Sequence, residues 1–155
     1  MTTGIRVPTN LDEFTSLLAE AAEAVSVTSR LPTWPFSRSF GRVGVCQYDR
    51  VLGSSFALVI HSLVALHDDE VVTIVVLEPN ASYYETQYSH FPGFRIARES
   101  LPEHYWTGLS IEPQGDPTGA IAYTANVVAI VGSSRRWAVW GERDWGLALV
   151  LAETH

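Results

Sequence analysis

The sequence predicts an α+β domain in which helices pack on a mixed, largely antiparallel sheet that ends in a three-strand meander. Three observations carry that reading. Apolar residues recur at helical spacing near the N-terminus. Residues 71–77 are a continuous run rich in β-branched side chains, the mark of a strand buried on both faces. Residues 126–131, 137–140 and 147–151 are strand-like runs joined by short connections, Gly132-Ser133-Ser134 and residues 141–146. The chain has 155 residues, 46% of them hydrophobic and 17% charged. That suffices for one domain, residues 1–155, and is too apolar for a disordered chain.

Residues 10–25 read as the first helix. Asn10 is placed to cap it, and Asp12 and Glu13 fall in the first turn, where the helix dipole favours acids. Phe14, Leu17, Leu18, Ala21 and Val25 form one apolar stripe, with Glu20 and Glu23 on the wet face. Residues 30–41 hold Pro32, Trp34, Pro35, Phe36, Phe40 and Gly41 and read as an ordered loop. Residues 42–48 alternate as a strand. Ser54 or Ser55 caps a second helix through Leu66, with Phe56, Val59, Ile60, Leu63 and Leu66 facing inward. His67-Asp68-Asp69-Glu70 is a polar turn before the strand at 71–77, which Pro79 stops. A third helix covers 82–90, Pro92-Gly93 ends it, and a short strand follows at 94–97. Residues 100–106 make a further helical turn, and 113–119 form a loop by composition before the meander.

All ten basic residues are arginine, against 17 acids, giving a formal charge of −7. A nucleic-acid binder needs a basic footprint, so nucleic acid is excluded as a partner. The single cysteine, Cys46, rules out an intramolecular disulfide and a cysteine-based zinc cluster. The N-terminal residues show no apolar run behind a basic start. The longest apolar stretches fall far short of the ~20 residues of a membrane helix. The expectation is a cytoplasmic chain without a membrane partner.

No motif for catalysis stands out. Cys46 lies in a strand pattern and reads as a small buried hydrophobe. His61 and His67 are too far apart to share a helix face as metal ligands. No phosphate loop, nucleophile elbow or dinucleotide fingerprint occurs, so no catalytic residue, metal or cofactor is assigned.

The aromatic residues are more informative. Residues 81–106 hold Tyr83, Tyr84, Tyr88, Phe91, Phe94, Tyr105 and Trp106, seven of the 17 aromatics in the chain. His90, Arg95, Arg98 and His104 lie among them. Tyrosine, tryptophan and arginine dominate binding hot spots because they bury much surface and keep a polar handle. Phe91 and Phe94 lack that handle and read as core.

The segment Trp137-Ala138-Val139-Trp140-Gly141-Glu142-Arg143-Asp144-Trp145 reads as a hairpin with a charged tip. It resembles C-terminal segments of small, acidic, uncharacterised actinobacterial proteins and, more loosely, immunity proteins of bacterial polymorphic toxin systems. The resemblance implies no catalysis. It implies a protein that docks onto a toxin domain and blocks its active site.

Charge, aromatics and resemblance together lead to the expectation of a non-catalytic inhibitor of a basic protein partner. Its contact residues would be Tyr83, Tyr84, Tyr88, His90, Trp106 and Arg143, with Asp68, Asp69 and Glu70 as steering charges. The alternative is a small-ligand pocket or enzyme using segment 81–106, with His90, His104 and Arg95 as polar groups. A third expectation is a homodimer formed where the C-terminal strands leave an open sheet edge.

Overall fold

The computed structural model describes residues 4–154. The chain opens with β1 (Ile5–Arg6), α1 (Leu11–Ala22), β2 (Arg42–Gln47), α2 (Tyr48–Val51) and α3 (Ala57–His67). It continues through β3 (Val71–Glu78), α4 (Ala81–Tyr88), β4 (Gly93–Ala97), α5 (Tyr105–Leu109) and α6 (Ile121–Thr124). It closes with β5 (Val127–Gly132), β6 (Trp137–Glu142) and β7 (Leu147–Ala152). The seven strands form one sheet in the order β1-β4-β3-β5-β6-β7-β2. The α+β reading and the C-terminal meander are borne out, and every neighbouring pair is antiparallel.

The sheet carries a core on each face, because successive strand residues point to opposite sides. Val128 and Ile130 of β5 face the layer built from α2 to α6; Val127, Ala129 and Val131 face α1 and Phe36. Strand β6 splits its two indoles in the same way. Trp137 enters the first core and Trp140 the second, and both are fully buried.

Helix α1 follows its sequence pattern. The Asn10 side chain accepts the Glu13 N–H at 2.8 Å, and Phe14, Leu17 and Ala21 are buried. Val25 lies beyond the helix and bridges Phe36. Glu20 is not on a wet face: its carboxylate takes Arg95 in a forked contact, 2.8 Å at the closest, and the Thr73 hydroxyl at 2.8 Å.

Helix α3 departs further from expectation. Ile60 and Val64 are buried and Leu63 partly so, but Val59 and Leu66 face solvent. Its sequence, ALVIHSLVALH, has no Asp, Glu, Lys or Arg, so no polar face marks which side turns outward. The open sheet edge also differs from expectation. Strand β7 is paired on both sides, and the exposed long edge belongs to β2.

Candidate functional site

Helices α4, α5 and α6, with the turn at 117–119, form an outer layer over the first core. The Asn80 side chain caps α4 by accepting the Tyr83 N–H at 2.9 Å. That start sends Tyr84 into the core and leaves Tyr83 outside, edge-on to Tyr84 at 6.1 Å and to Tyr88 at 6.3 Å. Tyr88 beside it holds the Tyr83 phenol above its usual pKa. The Tyr88 hydroxyl donates to the Thr118 carbonyl at 3.2 Å, tying α4 to the 117–119 turn.

In α5, Tyr105 turns inward and its hydroxyl donates to the Val51 carbonyl at 2.5 Å. The next residue, Trp106, therefore turns outward. Gly108 lets the helix sit on the Phe94 ring; a Cβ there would meet ring carbons at 2.4 Å. In α6, Ile121 is buried and Tyr123 faces solvent. Trp106 and Tyr123, with Ser110, Glu112, Ala120 and Ala122, line a shallow depression of about 280 Å³. Trp106 is 44% exposed and Tyr123 69%.

Arg143, in the β6–β7 connection, fixes the end of α6. Its guanidinium donates to the Ala125 carbonyl at 2.9 and 3.2 Å and to the Tyr123 carbonyl at 3.4 Å. It also lies 5.2 Å from the Tyr48 ring centroid, a cation–π contact. Tyr48 in turn donates to the Ala125 carbonyl at 2.6 Å.

The layer has one sign of charge. Residues 81–90 and 99–125 carry Glu85, Glu99, Glu103, Glu112 and Asp116, all exposed, and no Arg or Lys. The Thr118 hydroxyl and N–H both donate to Asp116, at 2.7 and 2.9 Å, and hold its carboxyl below the ordinary range. Elsewhere several acids are matched: Glu20 by Arg95, Glu23 by Arg135, Glu78 by Arg30 and Glu153 by Arg38.

The structure separates the expected contact residues. Tyr83 and Trp106 are exposed on this layer, and Tyr88 and His90 are half-buried beside it. Tyr84 is fully buried, so it is a core residue and not a contact. Its hydroxyl is buried without a hydrogen-bond partner, and burial raises its pKa while Thr124 works against that rise. Asp69 is no steering charge. It is 1% exposed and accepts the Trp137 indole N–H at 2.7 Å and the Ser134 N–H at 2.5 Å. Asp68 is spent on Arg98 at 2.6 Å, and Glu70 is exposed next to Ser133. This acidic turn stands at the far end of β3 from α4, roughly 25 Å away at ~3.3 Å per residue. Arg143 is exposed at the edge of the layer, where its donors are engaged by the carbonyls of Tyr123 and Ala125.

The pocket alternative loses its polar set. Arg95 is held by Glu20 on the α1 face, while His104 opens α5 on the opposite face. Desolvation lowers the pKa of His90. A hollow of about 580 Å³ lies between α1 and the start of α4 and is walled by Phe14, Leu18, Val27 and Leu77. Among the described residues no three His, Cys, Asp or Glu side chains gather where a metal ion could sit. None of the described helices is long and apolar enough to cross a membrane. Tyr123 escaped sequence reading because a four-residue helix has no periodicity to detect.

No protein-family model, curated protein or solved structure matches this chain.

Proposed function

We propose that the chain is a non-catalytic binding protein that docks its α4–α6 face onto a basic protein partner and occludes it, as an immunity protein does with a toxin domain. One observation supports this above the others: two exposed, large aromatic residues, Trp106 and Tyr123, share a depression in a layer whose segments, 81–90 and 99–125, hold five exposed acids and no Arg or Lys. Aromatic anchors ringed by one charge sign suit a partner of opposite sign. The rings bury area at low entropy cost, and the acids speed encounter and reject acidic competitors. The partner is a cytoplasmic protein with a basic surface, such as a nuclease-like toxin, and nucleic acid itself is repelled.

The test is calorimetric titration of the whole chain into the protein encoded beside it. Trp106→Ala and Tyr123→Ala should each weaken binding at least about thirtyfold, the loss expected of a ~2 kcal/mol hot spot. Binding should also weaken steeply as salt rises. No binding by that neighbour, or binding untouched by both substitutions, would overturn the proposal.

A further inference from the structure

Strand β2 presents an edge of a kind that folded proteins normally blunt. It is six residues long, pairs with β7 in unbroken register from Arg42↔Ala152 to Gln47↔Leu147, and has no strand partner on its outer side among the described residues. It contains no proline, lysine, acid or bulge, the usual protections against pairing with another chain. Val43 is 56% exposed and Val45 65%, on the same face as their β7 partners Leu151 and Leu149.

The other face of the same edge is also apolar. Helix α3 lies on that side: its Val59 lines a hollow with Gly44, Val45, Cys46 and Arg50, and its Leu63 and Leu66 line another with Arg42, Ala152 and Glu153. Leu58, Ser62 and Leu66, spaced one turn apart, turn their exposed sides to solvent together with Val59.

We propose that this edge is the seam of a homodimer, in which β2 pairs antiparallel with β2 of a second copy and the two α3 helices meet over the join. Two features select a second copy over another partner. The pattern Val43-Gly44-Val45 is self-complementary: a two-fold axis through Gly44 sets each Val43 opposite the other copy's Val45, and Arg42 opposite Cys46. Neither β2 nor α3 contains an acid in a molecule of charge −7, so a join there spares two copies most of the acid–acid repulsion of their other surfaces, with Arg42, Arg50 and Glu153 as the charges that border it. The strip is about 20 Å long and one helix layer deep, so the seam is a small one, below the ~800 Å² per partner of a standard interface.

Sedimentation equilibrium of the full chain over a wide concentration range tests it. The expected mass is twice 17.1 kDa. Val45→Lys sets an unpaired charge at the seam on both copies and should raise the dissociation constant at least about a hundredfold. Leu58→Lys should weaken the dimer through α3, while Leu11→Lys, exposed elsewhere at 55%, should leave it intact. All three side chains lie largely in solvent, so circular dichroism should show unchanged folding. A wild-type monomer throughout, or a dimer that survives both seam substitutions, would overturn the proposal. Loss of binding by the α4–α6 face would leave it standing, because the two surfaces are read by different experiments.

Discussion

Asp69 and Trp137 meet inside the core, the carboxylate accepting the indole N–H at 2.7 Å. The same carboxylate takes the Ser134 N–H, so one acid after α3 locks the β5–β6 hairpin to the start of β3. Glu142 repeats the arrangement at the other end of β6, accepting the Trp140 indole at 2.7 Å and the Leu31 N–H at 2.7 Å. Removing Asp69 leaves the buried Trp137 N–H unpaired and releases the half-buried Ser134 N–H. Asp69→Ala should therefore cost about 3 kcal/mol, and Asp69→Asn roughly half that, since an amide oxygen still accepts. Urea unfolding followed by tryptophan fluorescence measures the loss. A change under about 1 kcal/mol would show that the contact contributes little.

The three buried tyrosines differ in a way that predicts their replacements. The hydroxyls of Tyr48 and Tyr105 donate to the carbonyls of Ala125 and Val51, whereas that of Tyr84 is buried without a hydrogen bond. Desolvation raises the pKa of all three. Tyr48→Phe and Tyr105→Phe should each destabilise by about 1–2 kcal/mol, while Tyr84→Phe should be neutral or stabilising. Thermal melts of the three variants give the order, and a Tyr84→Phe loss as large as the others would contradict it.

Arg143 supplies planar donors to two carbonyls at the end of α6 and stacks on Tyr48. A lysine cannot reproduce that fork. Arg143→Lys should lose about 1 kcal/mol and Arg143→Ala somewhat more. Both should expose the α6 amides to faster hydrogen exchange. Full protection at α6 in the alanine variant would show that Arg143 does not anchor it.

His90 predicts a pH dependence. Burial lowers its pKa below the ordinary 6.5, so the folded state prefers the neutral ring. The unfolded state takes up its proton first as pH falls. The contribution to stability is thus present above about 6.5 and is lost as pH drops through the folded value. His90→Gln should flatten the stability profile between pH 7 and 5. An unchanged slope would assign that acid sensitivity to other groups.

Much of the fold was legible in local pattern. The α1 stripe, the β-branched run of β3 and the turn-separated strands β5 to β7 are periodic signals, and each maps onto an observed element. What failed were choices between faces. Asp69 and Asp68 are neighbours of one type in one turn, yet one is buried under Trp137 and the other is 88% exposed. Only tertiary packing distinguishes them. Helix α3 is apolar all round, so its outward side was undecidable from spacing. The site was half visible: Tyr83 and Trp106 stood in an aromatic-rich segment, but Tyr123 joins them only because α6 folds back beside α5.

The grip of Arg143 on α6 has a thermodynamic corollary. Tyr123 rides on a helix whose last carbonyls are pinned to the sheet, so the aromatic face is already in one shape before any encounter. A ligand arriving there has little chain to order. Its association should release heat without added helicity and with a heat-capacity change set by dehydrated area alone.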